Sequence, residues 1–529
     1  MKGQMPESTS QEPANPPAST GSSSRFLVNV LWNWLGVAVS LFIGFVLSPV
    51  VVHRLGEERY GIWALVFSLL DYFWFFDLGV NTAIVNFSAR FQASGRPDKI
   101  NQLLNTALSF FSVISLTLAG LSWLVSSNSA RLFPNVSPQY RPEFAHLILL
   151  TGISWGGFVL LHIFTSCLDG FQRFDLTSRA WIAMLLFRGV GTMTVLLMGY
   201  GLMEMAVVVV LGQLMCYLLN FWNLRRIFPE LRFSRSLVSW EMLKEMSGYG
   251  VHSFVANSAT LLLNQGPPVV IGHFLPVAAV GFFTLPSRLL QYGVDAVSRV
   301  ALVTRSRTAV LDASQDHESV FRLGVFTNRY CFAMFMPAVI FLMLYAEEAL
   351  RLWMNGTFAV QGAPVLRILA PTIALVMAGQ FNSSAILFGL NRHRPYARVM
   401  LAEAVISVAL LWVVVPTRGI LGAAVVTSGL MLLSRGMITP WIVCRGLGVP
   451  LVQYMRSIYL APLLTAAPVF TLAWFLKFHG LPGRNWPQLI TAAGLVSVLY
   501  LAGALATTFE PEHRLLLWTW VRRFQKTAA

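Results

Sequence analysis

Residues 27–52 read LVNVLWNWLGVAVSLFIGFVLSPVVV, 26 residues without a single Asp, Glu, Lys, Arg or His. About 20 largely apolar residues suffice to cross a bilayer as a helix, so this run is a membrane span, and it is too long for the apolar centre of a cleavable signal peptide. Before it, residues 1–24 (MKGQMPESTSQEPANPPASTGSSS) are rich in Pro, Ser and Thr and nearly devoid of apolar side chains. Such a segment cannot bury enough surface to order itself, which predicts a disordered tail. The rest of the chain repeats the pattern of the first run. Over 529 residues, 56% are hydrophobic and 12% charged, with a mean hydropathy of +0.63. Soluble domains carry about 25% charged residues, so a water-facing exterior is excluded.

Fourteen runs have the length and apolarity of spans: 27–52, 60–86, 103–127, 144–168, 180–199, 203–224, 248–273, 280–304, 324–346, 363–388, 397–416, 420–443, 457–478 and 488–508. The reading is an all-α polytopic membrane protein. Three runs carry unusual polarity: Asp71, Asp77 and Asn81 in the second; His252, Asn257, Asn264 and Gln265 in the seventh; Arg288 and Asp295 in the eighth. Polar groups in hydrocarbon are costly, so these helices are expected to face a protein-lined or watery interior.

Lys and Arg total 38 against 23 Asp and Glu, a net charge of +15. In a soluble domain that excess would suggest nucleic acid; here no basic stretch lies in a polar segment long enough to fold alone, and nucleic acid is not expected as a partner. With the N-terminus inside, the segments on that side hold 24 of the 38 basic residues and the opposite side 8. The positive-inside rule then places both termini in the cytoplasm. Cys167, Cys216, Cys331 and Cys444 sit in or beside apolar runs with no metal-ligand spacing, which reads as core packing rather than a metal site or a disulfide framework.

An internal duplication runs at an offset of about 219 residues, 218 to 220 at the individual matches. Gly170-Phe171-Gln172-Arg173, with Arg179 six residues on, matches Gly389-Leu390-Asn391-Arg392, with Arg398 six residues on. Gly201 and Ala206-Val207 match Gly419 and Ala424-Val425, and Leu55, Tyr60-Gly61 and Leu65 match Leu275, Val280-Gly281 and Leu285. The offset covers six spans, an even number, so the copies share one orientation and would be related by an axis along the membrane normal, a transporter architecture. The expected organisation is a tail (1–24), an N-lobe (25–224), a basic cytoplasmic linker (225–247), a C-lobe (248–444), a two-helix appendage (445–508) and a cytoplasmic C-terminal tail (509–529).

The chain lacks a GxxxxGK[ST] phosphate loop, and no Ser–His–Asp, paired-carboxylate or metal-ligand pattern is legible. The longest loop on the outer side, Asn128 to Glu143, leaves little room for a glycan-modifying site. Transport is favoured over catalysis, and no catalytic residue, metal or cofactor is expected.

Residues 55–82, LGEERYGIWALVFSLLDYFWFFDLGVNT, resemble the signature region of the polysaccharide transporter branch of the multidrug/oligosaccharidyl-lipid/polysaccharide exporter superfamily. The resemblance is carried by Leu55-Gly56, Tyr60-Gly61-Ile62-Trp63 and Asp77-Leu78-Gly79, then by Val280-Gly281, Leu352-Trp353-Met354-Asn355-Gly356, Leu387-Phe388-Gly389-Leu390-Asn391-Arg392 and Gly419-Ile420-Leu421-Gly422-Ala423-Ala424. It covers residues 25–508. It implies two six-helix lobes around a cleft lined by the first, second, seventh and eighth helices, plus two C-terminal helices. It also implies an inner-membrane flippase, expected to act as a monomeric transporter, for polyprenyl-diphosphate-linked oligosaccharide in O-antigen, capsule or exopolysaccharide synthesis. Membrane lipids and polysaccharide polymerase or export proteins are the associated partners. Lys is scarce, and Arg188, Arg288 and Arg435 have no equivalents at the repeat positions, so no family cavity residue is carried over to them.

Such a substrate needs cations for its diphosphate and polar groups for its sugars. Arg suits phosphate because its planar fork donates paired hydrogen bonds and stays charged. Arg288, eight residues into the eighth span and about 12 Å deep at 1.5 Å per residue, is the first candidate; the alternative is a buried pair with Asp71. Arg188 in the fifth span is the second candidate. Asn33, His252, Asn257 and Asn264 are candidate sugar contacts, with inter-helix hydrogen bonding as the alternative. Asp71, Asp77 and Asp295 are candidates for binding a coupling ion, or for neutralising nearby arginines, with Asp77 also able to cap or break its helix. Arg299, Arg329 and Arg435 near the cytoplasmic ends are candidates for substrate entry, or snorkelling anchors. The rival functions are a cation-coupled small-molecule exporter of the same superfamily, a membrane enzyme of polysaccharide assembly, and a scaffold.

Overall fold

The computed structural model describes residues 20–377, 382–390, 392 and 394–515, and every regular element among them is helical. The N-terminal half runs α1 (Thr20–Leu55), α2 (Glu57–Asp71), a 3₁₀ segment (Tyr72–Asp77), α3 (Val80–Ala93), α4 (Pro97–Ser127), the short α5 (Ser129–Leu132), α6 (Arg141–Gly170), α7 (Phe174–Leu197) and α8 (Leu202–Ile227). The C-terminal half runs α9 (Trp240–Phe274), α10 (Ala278–Ala313), α11 (His317–Trp353), α12 (Gly356–Met377), α13 (Ser384–Gly389), α14 (Arg394–Met431), a π-helical segment (Leu432–Ile438) and α15 (Thr439–Leu447), followed by α16 (Leu451–His479) and α17 (Trp486–Thr507).

Among the described residues, ten helices are long and apolar enough to cross a membrane, or eleven if the bent pair 57–77 and 80–93 is one span. The chain is thus a multi-pass membrane protein, with a smaller count than the fourteen expected. The difference has three sources. The helical stretch Arg394–Leu447 is one 54-residue rod by composition, but Gly419 breaks it with a non-helical backbone (φ +61°, ψ −152°). The other two sources are α9 and α10, long enough at 35 and 36 residues but too polar to count among the apolar helices. The second span is itself discontinuous: Leu78 and Gly79 take left-handed backbone angles (φ +49° and +77°), and the chain turns by 51° there. Only glycine adopts that conformation without penalty.

The packing of the first six rods recurs in the next six. α1 lies on α7 as α9 lies on α14, and α4 packs on α6 as α11 packs on α12. The chain between α8 and α9 is ordered by side chains of α4 that stand in for a backbone partner. Asn101 donates to the Glu230 carbonyl (2.9 Å) and accepts from the Arg232 N–H (2.8 Å); Asn105 donates to the Arg232 carbonyl (2.7 Å) and accepts from the Ser234 N–H (2.9 Å).

α16 and α17 pack against α11 through their own apolar core. Asn328 donates to the Tyr454 hydroxyl (2.7 Å), and Lys477 pairs with Glu348 (2.7 Å). Two expected boundaries move. α1 begins at Thr20, five residues inside the stretch read as a tail. The start of the C-terminal tail folds back on α11, where Phe509 stacks on Tyr330 and the Glu510 N–H donates to the Tyr330 hydroxyl (3.1 Å).

Candidate substrate cleft

One end of the bundle is closed by contacts between the halves. The Asn355 amide donates to Glu57 (3.0 Å), the Trp353 indole N–H to the Phe45 carbonyl (2.9 Å), and Asn135 to the His273 carbonyl (2.9 Å). Phe45 stacks on Trp353 with ring centroids 5.0 Å apart. Gly61 and Gly281 bring α2 and α10 so close that a Cβ on Gly61 would lie 2.1 Å from the Val277 carbonyl oxygen, and one on Gly281 2.8 Å from the Tyr60 ring.

Below this seal, charged side chains from three helices converge. Counted from the sealed end, Arg188 of α7, Gln265 of α9, Arg288 of α10 and Asp71 of α2 lie at depths of about 13 to 21 Å, at 1.5 Å per residue. Arg288 is exposed and is within Coulombic reach of both Asp71 and Arg188. Among the described residues it makes no ion pair. The expected alternative for Arg288, a buried pair with Asp71, is therefore not what the structure has: Asp71 instead accepts a hydrogen bond from Gln265 (2.7 Å). Arg188 is half-buried, its stem laid against Gly212 of α8, where a Cβ would sit 2.7 Å from the arginine Cγ. Asn264, beside Gln265, is exposed.

Asp77 has a different environment. Its carboxylate accepts from the Asn81 N–H (3.1 Å) and side-chain amide (2.6 Å), fixing the first turn of α3 beyond the break. Asn81 in turn accepts from Ser166 (2.8 Å), which contacts the His162 ring (3.2 Å). That network occupies Asp77 in holding the bend. Of the aromatic run 72–76, Phe73 is buried, Trp74 meets His162 edge-on and Tyr72 stacks on Phe75.

Two candidates for substrate entry are committed elsewhere. Arg435, in the π-helical segment, is 5% exposed and paired at 3.0 Å with Glu403 of α14, itself 3% exposed; Ser434 donates to the same carboxylate (2.5 Å). A guanidinium sealed in this way does not meet substrate at a mouth, nor does it snorkel. Arg329 donates to the Ser457 carbonyl (2.7 Å) and pairs with Glu510 (3.5 Å), tying α11 to α16 and the chain after α17. Glu403 was missed by sequence reasoning, because a lone carboxylate in an apolar run shows no partner until the fold brings α14 round on itself. The side chains of Asn33, His252, Asn257, Asp295 and Arg299 lie outside the described residues.

A bundle of long, largely apolar helices, with matched halves sealed at one end and ionic side chains between them, belongs to the class of two-lobed membrane transporter folds. The particular family follows from sequence comparison: the chain belongs to the polysaccharide biosynthesis protein family, whose pattern matches residues 26–302. It is 23% identical over 522 residues to the uncharacterized membrane protein EpsK of Bacillus subtilis, covering 95% of this chain and 99% of that protein. It is 20% identical over 421 residues to a putative O-antigen transporter of Shigella flexneri, covering 79% and 97%. Among solved structures, the fold resembles lipid II flippase MurJ in its inward closed conformation (TM-score 0.70, 12% identity, 90% of this chain and 98% of that one). It also resembles an inward-facing multidrug resistance MATE family transporter of the MOP superfamily (TM-score 0.58, 15% identity, 79% and 95%).

Proposed function

We propose that this protein is an alternating-access flippase that carries a polyprenyl-diphosphate-linked oligosaccharide from the inner to the outer leaflet of the cytoplasmic membrane. The observation that carries the reading is the pair Arg188 and Arg288, on helices of opposite halves, at similar depth, with Arg288 unpaired among the described residues. Two guanidiniums that repel each other are brought into balance by a diphosphate between them. Asp71, held by Gln265, tempers that charge so the site can release its anion, and Asn264 offers an amide to sugar hydroxyls. Family membership and the relative named as a putative O-antigen transporter support the same substrate class. The basic bias toward one side supports cytoplasmic termini, which makes the sealed end the outer one and the described state closed to the outside. The arginines oppose the rival reading of a cationic-drug exporter.

The test is reconstitution. Liposomes containing the protein and a labelled lipid-linked oligosaccharide are expected to expose the label in the opposite leaflet faster than protein-free liposomes, with unchanged glycan length. No acceleration, or a lengthened or trimmed glycan, overturns the proposal.

A further inference from the structure

The duplication supplies an internal comparison that exposes a second charged site, away from the cleft. At the junction of α13, α14 and α15, Arg392, Arg394, Arg398 and Arg445 line a recess of about 520 Å³ together with Leu387, Ile442 and their neighbours. All four arginines are exposed, and among the described residues no carboxylate lines the recess and none of the four makes an ion pair. Two are held in place. Arg392 donates to the Gly446 carbonyl (2.9 Å), and the Arg445 guanidinium lies over the Trp441 ring, 5.5 Å from its centroid.

The equivalent corner of the first half, 219 residues earlier, is built from the same parts with a lower charge: Arg173, Asp175, Arg179 and Arg226 stand where the second half has four arginines. Arg226 stacks over Trp222 (3.6 Å), as Arg445 does over Trp441. Arg173, the counterpart of Arg392, is gripped by both carboxylate oxygens of Asp175 (2.9 and 3.1 Å). The position matching Asp175 is Arg394, so the carboxylate that pairs with Arg173 in the first corner is replaced by a residue of opposite sign in the second. Like charges gathered in one recess repel, and the fold holds two of them there without a counter-ion of its own. We propose that this corner of the second half binds a phosphate-bearing anion. Guanidinium forks match phosphate oxygens bidentately, and the apolar floor of Leu387 and Ile442, at the helix ends where headgroups lie, accommodates a phospholipid as readily as a free phosphate. The proposal does not depend on the transport reading.

The test uses the full-length protein in detergent, with Arg188→Ala and Arg288→Ala in place so that the cleft cannot contribute, and reads the rise in Tm on titration. Inorganic pyrophosphate is one arm and short-chain phosphatidylglycerol the other, with short-chain phosphatidylcholine as reference. A rise with pyrophosphate alone identifies a soluble phosphate ligand, and a rise with phosphatidylglycerol alone identifies a lipid headgroup; a rise with both also supports the site. Arg394→Asp, which recreates the pairing of the first corner, is expected to weaken binding at least tenfold, and Arg398→Gln serves the same purpose if that variant does not fold. No rise in either arm, an equal rise with phosphatidylcholine, or wild-type affinity in the folded variant overturns the proposal.

Discussion

The intramembrane arginines divide into two kinds by what their guanidiniums meet, and substitution is expected to separate them. Arg288 is exposed within the bundle and makes no ion pair among the described residues, so removing it leaves Asp71 its hydrogen bond from Gln265. Arg288→Ala is expected to lower flipping in liposomes at least tenfold while membrane abundance and Tm stay near wild type; a collapse in abundance would show the arginine to be structural. Arg435 is the opposite case. Its pair with Glu403 is almost fully buried, and removing one member of a buried pair costs about 3–5 kcal/mol because the other charge is stranded. Glu403→Ala is therefore expected to lower Tm sharply, whereas the double variant Glu403→Met with Arg435→Met recovers most of the loss. If the double variant were as unstable as the single one, the pair's value would lie in its geometry and not in mutual neutralisation.

At the scale of helices, close approach between the halves depends on what faces each glycine. A Cβ at Gly61 would lie 2.1 Å from a backbone carbonyl oxygen of Val277, which cannot rotate aside; one at Gly272 would lie 2.8 Å from the end of the Leu65 side chain, which can. Overpacking costs about 1–3 kcal/mol where neighbours cannot relax, so Gly61→Ala is expected to lower Tm clearly more than Gly272→Ala, measured side by side in one detergent. Most of the helices themselves were legible as apolar runs, because hydrocarbon demands the same property of every exposed span. The Gly419 break falls between the runs 397–416 and 420–443 and also at the match with Gly201, and the Leu78–Gly79 break lies in the DLG triplet. Polarity marked the second, seventh and eighth spans, and Asp71, Gln265 and Arg288 do converge. Sequence could not pair Glu403 with Arg435, nor gather Arg392, Arg394, Arg398 and Arg445, because such groupings come from where helix ends meet, and the spacing along the chain between 398 and 445 encodes nothing of that. For Asp77 the sequence already offered capping or breaking its helix beside ion binding, and its hydrogen bonds from Asn81 match the former.

For the whole molecule, alternating access requires the sealed end to part. In the described state the halves are joined there by the hydrogen bond from Asn355 to Glu57, by Trp353 on Phe45, by Asn135 on the His273 carbonyl and by the close packing of α2 on α10 at Gly61 and Gly281, all non-covalent contacts that a cycle must break and re-form. A covalent tie across that seam would hold one state without touching the cleft. The four native cysteines are all buried, so cysteines introduced as Glu57→Cys and Asn355→Cys present the accessible pair for a short thiol-specific crosslinker. The crosslinked protein is expected to retain its fold and its Tm, or to gain stability, while flipping falls to the level of protein-free liposomes; each single cysteine treated identically should keep its activity. With a reducible crosslinker, thiol addition should restore flipping. Full activity in the tied protein would mean that this end never opens, and substrate would then have to reach the far leaflet by a route other than the cleft between the halves.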